Sequence, residues 1–205
     1  MPRKRGTNAA ETKSKLLAAA GEEFAAKGYS HASLREICSK ADVTTGALYF
    51  FFDSKEALFE AVLAPFTDAL VNLIDESYPT GKEASTDWVS GDRAFSKKIL
   101  DLCIDNRRIV KIMRDNSDIP CVHDFLETII SNTANHLKEH MPPRVSGDGT
   151  DHADIASHWF ARLQVESVLD ILSQGLSRKN ALVQLEYVVG LLSNGFAAML
   201  ELDKE

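Results

Sequence analysis

Between Ser33 and Val62 the chain reads SLREICSKADVTTGALYFFFDSKEALFEAV, and helix-start signals recur there too closely for a long element to fit. Ser33 with Glu36 matches the Ser-x-x-Glu box that opens a helix, whose apolar side is Leu34 and Ile37. Asp42 falls in the turn Ala41-Asp42-Val43, where aspartate tolerates a left-handed backbone better than most side chains. Thr44 then caps a third helix reaching about Phe51, and Asp53 with Glu56 starts a fourth. Two short helices joined by a tight turn make a helix–turn–helix, a unit whose second helix fits the DNA major groove.

The remaining sequence is helical as well. Asn8 with Glu11 reads as the cap of a first helix that buries Leu16, Leu17, Ala20 and Phe24 and stops at Gly28. The fourth helix carries the stripe Phe59, Val62, Leu63, Phe66, Leu70, Leu73 and Ile74. Pro65 lies inside it and predicts a kink, because proline cannot donate to residue 61 and crowds the preceding turn. Loops are expected over residues 79–87 and 142–151. Apolar spacing marks helices around 95–103, 109–113, 122–137, 153–174 and 179–202. The expectation is an all-α chain of about nine helices. Residues 1–55 would form the helix–turn–helix domain and residues 56–205 a larger helical domain for effector binding and dimerisation.

The net charge of −7 counts against a nucleic-acid partner only if it is spread evenly. It is not. Residues 1–60 hold nine Lys and Arg against eight Asp and Glu, whereas the other 145 hold fourteen against twenty-two. Arg3, Lys4 and Arg5 cluster at the tip, as a solvated tail or as an arm that touches phosphates or the minor groove. No run approaches the ~20 apolar residues of a membrane span, and Met1 is followed by charge, so a cytoplasmic protein without a membrane partner is expected. Cys38, Cys103 and Cys121 are too few and too irregular for a disulfide framework or a zinc site, and redox sensing by Cys103 and Cys121 is a weaker reading than plain buried thiols. His136 and His140 have the i, i+4 spacing of a metal pair but lack an obvious third ligand. No glycine-rich phosphate loop and no nucleophile elbow is present, so neither an enzyme nor a cofactor is expected.

Gly28-Tyr29, Ile37, Ala41-Asp-Val-Thr44 and the run Thr45-Gly-Ala-Leu-Tyr-Phe-Phe-Phe-Asp-Ser-Lys55-Glu-Ala-Leu-Phe59 together resemble the DNA-binding domain of the TetR family of bacterial transcriptional regulators. The resemblance covers roughly residues 10–62 and implies a homodimer, usually a repressor, with two recognition helices in successive major grooves of a palindromic operator. It also implies a C-terminal helical domain that binds a small-molecule effector, of unknown identity, and releases the operator. Ser33 and Thr44 stand at helix starts, where hydroxyls and free amides suit a phosphate. Gly46 permits close backbone approach, Thr45 and Ala47 are small enough for the groove floor, and Tyr49 can reach a phosphate. Lys55 matches the family's phosphate-contacting lysine. Phe50 completes the candidate contact set, although the family commonly has tyrosine there and histidine at Phe51, so one backbone contact is expected to be lost. Asp42 replaces a frequent glycine. A helical module that no longer binds DNA is the competing reading.

Beyond the motif, Trp88, Phe95, Cys103, Met113, Phe125, Trp159 and Gln164 are candidates for a ligand cavity, against plain core packing. Glu166 could mark a cationic ligand or simply face solvent. The last two helices are more apolar than one buried face requires. Trp159, Leu163, Val188, Leu191, Gly195 and Met199 are therefore candidates for a dimer interface of four helices around a two-fold axis.

Overall fold

The computed structural model describes residues 5–77, 88–139 and 152–201. Among the described residues there are nine α-helices and no strand: α1 (Arg5–His31), α2 (Leu34–Ala41), α3 (Thr45–Phe51), α4 (Lys55–Ser77), α5 (Trp88–Asp105), α6 (Arg107–Asp115), α7 (Pro120–Lys138), α8 (His152–Ser173) and α9 (Arg178–Glu201). The chain divides into two compact units. One comprises residues 1–68 with 108–122, the other residues 69–107 with 123–205.

The first unit is built on α1. Leu16, Ala20 and Phe24 of α1 are buried together with Ile37, Leu48, Leu58, Phe59 and Val110. Phe24 meets Phe59 edge-on at 4.9 Å and Tyr29 meets Phe59 at 5.0 Å, which sets α1 against the start of α4 through aromatic rings. α1 starts before Asn8, so that residue is inside the helix and is not its cap. Gly28 leaves helical geometry, with φ 72° and ψ 171°, and one further turn follows to His31. That break strips the Tyr29 N–H of a helical partner. The Oδ1 of Asn116 accepts it at 2.7 Å, while the Asn116 amide donates to the Ile112 carbonyl at 2.7 Å. A buried asparagine thus closes the gap that the glycine opens.

α4 is continuous through Pro65, which is exposed, and a buried stripe of Leu58, Phe59, Val62, Leu63, Phe66, Leu70 and Ile74 runs along it. By length and composition alone its stretch Lys55–Glu76 is apolar enough for a membrane span, which amends the sequence expectation. Its stripe is buried within the fold and its other side carries exposed Glu56, Glu60 and Asp68, the pattern of an amphipathic helix packed on a core. The helix is capped by Ser54, whose Oγ accepts the Ala57 N–H at 3.0 Å, and not by Asp53.

In the second unit, Ile130, Ala134 and Leu137 of α7 pack on Ala153, Phe160 and Ala161 of α8. Leu100 of α5, Ile171 of α8 and Ala181, Leu185 and Val189 of α9 form a second cluster. Arg178 at the start of α9 pairs with Asp101 and Asp105 of α5, and Arg162 takes both oxygens of Glu127 at 2.8 and 2.9 Å.

Candidate nucleic-acid interface

The turn between α2 and α3 is set by Asp42, at φ 54° and ψ 48°. The Val43 N–H donates to the Cys38 carbonyl at 3.0 Å and the Asp42 N–H to the Ser39 carbonyl at 3.3 Å. This is the Schellman closure, made with aspartate where glycine is usual. α3 then begins cleanly, because the Thr44 Oγ1 accepts the Ala47 N–H at 3.1 Å.

Helical periodicity divides the seven residues of α3 into two arcs. Leu48 is fully buried and Phe52, just past the helix, is nearly so. Ala47 and Phe51 are half-buried beside them. Thr45, Gly46, Tyr49 and Phe50 share the outer arc and are exposed, Tyr49 by 52% and Phe50 by 79%. A helix held by Leu48 and Phe52 and bare on its opposite arc has the exposure that groove entry requires.

Behind it, Glu23 of α1 is fully buried. Its Oε1 accepts the Lys27 ammonium at 2.8 Å and the Ser33 N–H at 3.4 Å, and its Oε2 accepts Lys40 at 2.8 Å. The Lys27 and Lys40 ammonium groups hold its carboxyl down at about 2, against the opposing effect of burial. The expected capping box is therefore half made. The Ser33 Oγ takes the Glu36 N–H at 3.5 Å, but the return bond to the Ser33 N–H comes from Glu23, because Glu36 is drawn to Lys27. Helical spacing from Leu16 and Ala20 puts Glu23, unlike its exposed neighbour Glu22, on the buried face of α1.

Lys55 is half-buried. Its ammonium lies 4.8 Å from the Tyr29 ring centroid and donates to the Ser30 carbonyl at 3.3 Å, and burial lowers its pKa. Lys13 covers the ring of Phe52 at 5.7 Å. Arg35 is exposed on α2. Arg3 and Lys4 lie outside the described residues, and Arg5 is the first residue of α1.

The other candidates are scattered. Met113 is buried with Val110 and Ile112 of α6 and is core of the first unit. Phe95, Phe125 and Gln164 are half-buried in the second unit and Cys103 is buried there, its thiol pushed up to about 12 by burial, which leaves no thiolate for redox chemistry near neutral pH. The side chains of Trp88 and Met199, and His140, lie outside the described residues. Glu166 is exposed. Among the described residues no group of three potential metal ligands occurs. Trp159 is 61% exposed and so lines no interior cavity of the unit, whereas with Leu163 at 47% and Leu191 at 75% it fits an external face. Gly195 is exposed and Val188 half-buried. Ile155 stands one turn before Trp159 on α8, and Val183 and Tyr187, which the sequence reading missed, precede Leu191 at i, i+4 spacing on α9; all three are exposed.

The sequence profile of "Bacterial regulatory proteins, tetR family" matches residues 16–62. The HTH-type transcriptional regulator SrpR of Pseudomonas putida is 45% identical over 64 residues, which covers 31% of this chain but only 30% of SrpR. The uncharacterized HTH-type transcriptional regulator YdgC of Bacillus subtilis (strain 168) is 37% identical over 162 residues, 79% of this chain and 75% of that protein. A TetR-like transcriptional regulator from Rhodococcus sp. RHA1 shares the fold, with a TM-score of 0.66 over 96% of this chain and 98% of that one at 19% identity. With the exposed α3, the Asp42 turn and a relative aligned over most of its length, this chain belongs to the tetR family of bacterial regulatory proteins, helix–turn–helix transcriptional regulators and not enzymes.

Proposed function

We propose that this chain represses transcription as a homodimer, binding a palindromic operator through α3 of each subunit and leaving it when a small molecule binds. The outer arc of α3 carries this reading: four contiguous exposed positions on a helix pinned from behind by Leu48 and Phe52. Thr45, Gly46, Tyr49 and Phe50 meet the groove, with half-buried Ala47 at the edge of the contact, and Ser33, Thr44 and Lys55 lie toward the phosphates. Arg3, Lys4 and Arg5 add charge from the N-terminal tip. Occupying successive grooves of a promoter excludes other proteins from it, which is repression in its simplest form.

Dimerisation is assigned to α8 and α9. Ile155, Trp159 and Leu163 on α8, and Val183, Tyr187 and Leu191 on α9, are large, apolar and 43–76% exposed. Two stripes of that kind on neighbouring helices are more than scattered surface residues. The effector is assigned to the second unit, which carries the candidates Phe95, Cys103, Phe125 and Gln164. Its action on cellular DNA places the protein in the cytoplasm.

The test is recovery of operator DNA from fragmented genome by the purified protein. The reading expects enrichment of a few promoter fragments with inverted half-sites. Recovery of random fragments, with affinity that follows salt alone, counts against it.

A further inference from the structure

The outer arc of α3 bears no charged side chain and no side-chain amide: it consists of Thr45, Gly46, Tyr49 and Phe50. Arginine, lysine, asparagine and glutamine make the two-point hydrogen bonds that identify guanine and adenine, and none is on this arc. The nearest exposed charges along the chain are Asp42 and Asp53, which phosphates repel. Side-chain hydrogen-bond readout from the outer arc of α3 is thus confined to the hydroxyls of Thr45 and Tyr49.

Phe50 fills the gap. At 79% exposure it is the most exposed of the large apolar side chains in the described first unit. It is also directed: its ring stands edge-on to Phe51 at 5.0 Å and 85°, and Phe51 lies 6.4 Å from the buried Phe52. A half-buried ring under an exposed one limits the rotamers of the latter. The only apolar group on the floor of the major groove is the C5 methyl of thymine.

Resting on the DNA-binding reading above, we propose that Phe50 is a specificity-determining residue that packs on thymine C5 methyl groups, with the Thr45 methyl as a second apolar contact. The operator is then recognised through its thymine methyls more than through paired hydrogen bonds to purines. Phe51 serves the same end, as the apolar surface on which Phe50 is set.

Deoxyuridine tests this directly, because it pairs as thymine does and lacks only the methyl. The recovered operator is titrated with the full-length protein, with deoxyuridine placed at each thymine in turn. At the contacted positions affinity falls by about four-fold per methyl, the worth of one buried CH2 group. Phe50→Ala loses that sensitivity at its own position and leaves the slope of log K against log salt unchanged, while Lys55→Gln keeps the sensitivity and lowers the slope. An operator that binds the wild-type protein equally well with uracil throughout overturns the inference and leaves DNA binding intact. Failure to enrich any operator overturns the DNA-binding reading and this inference with it.

Discussion

The Lys40 ammonium lies 2.8 Å from the Glu23 carboxylate, which ties the last turn of α2 to the middle of α1. The other oxygen of that carboxylate takes the Ser33 N–H at 3.4 Å, at the start of α2. One buried side chain therefore grips both ends of the helix that precedes the recognition helix, and so sets the platform on which the turn at Asp42 is built.

Glu23→Ala is expected to lower stability by about 2–4 kcal/mol, since it leaves the Ser33 amide and Lys40 without their acceptor and Lys27 with Glu36 alone. Glu23→Gln keeps an acceptor for the amide and costs less. With its carboxyl held at about 2 against an ordinary 4.5, Glu23 stabilises fully above about pH 4.5 and loses that contribution as pH falls toward 2. Urea denaturation of both variants between pH 2 and 7 checks this: the acid limb of the wild-type profile should flatten in Glu23→Gln.

Gly28 adopts φ 72° with ψ 171°, and a Cβ there would stand 3.3 Å from the Asn116 Oδ1. Gly28→Ala should cost about 1–3 kcal/mol in backbone strain. Asn116→Leu should cost about 1–3 kcal/mol as well, by orphaning the Tyr29 amide. Because both changes act on the same Tyr29–Asn116 bond, their double variant should be less destabilised than the sum, as read by thermal melts of the four proteins.

Lys55 combines an intrachain hydrogen bond to Ser30 with a position over Tyr29. An ammonium has two donors to spare after that bond. If one goes to a phosphate, Lys55→Gln weakens operator binding across sequences and lowers the salt slope by about 1. Tyr29→Leu, which removes the ring under Lys55 and its packing on Phe24 and Phe59 but no charge, should leave the slope alone. Fluorescence anisotropy at several salt concentrations separates the two roles.

Trp159→Glu combined with Leu191→Glu places charges on the exposed faces of α8 and α9. Sedimentation should show the wild-type chain as a dimer and this variant as a monomer with an unchanged far-ultraviolet spectrum. Operator affinity should fall by about two orders of magnitude or more, because one short recognition helix gains little by itself. A dimeric variant would move the interface elsewhere.

Around the recognition helix short-range signals are legible because short-range physics decides them, although the caps expected at Asn8 and Asp53 are not made. Thr44 caps α3, Ser33 caps α2 and Asp42 turns left-handed, each within three residues of its partner. Long-range partners were not legible. The spacing from Leu16 puts Glu23 and not Glu22 on the inner face of α1, but only the fold shows that Lys40 and the Ser33 amide meet it there. Met113 carries the same apolar signal as Phe125, yet the two belong to different units. On α9 the periodicity of Leu185, Val189 and Leu192 is as strong as that of Val183, Tyr187 and Leu191, and composition does not say which stripe the chain keeps for itself.

The central claim is that α3 is the element in contact with the operator, and the most direct measurement is crosslinking from its outer arc. With photoreactive benzoylphenylalanine in place of Phe50, illumination of the operator complex should yield adducts at bases in both half-sites, about 34 Å apart along the duplex. Adducts confined to the protein, with the labelled operator bound but unmodified, would contradict the account.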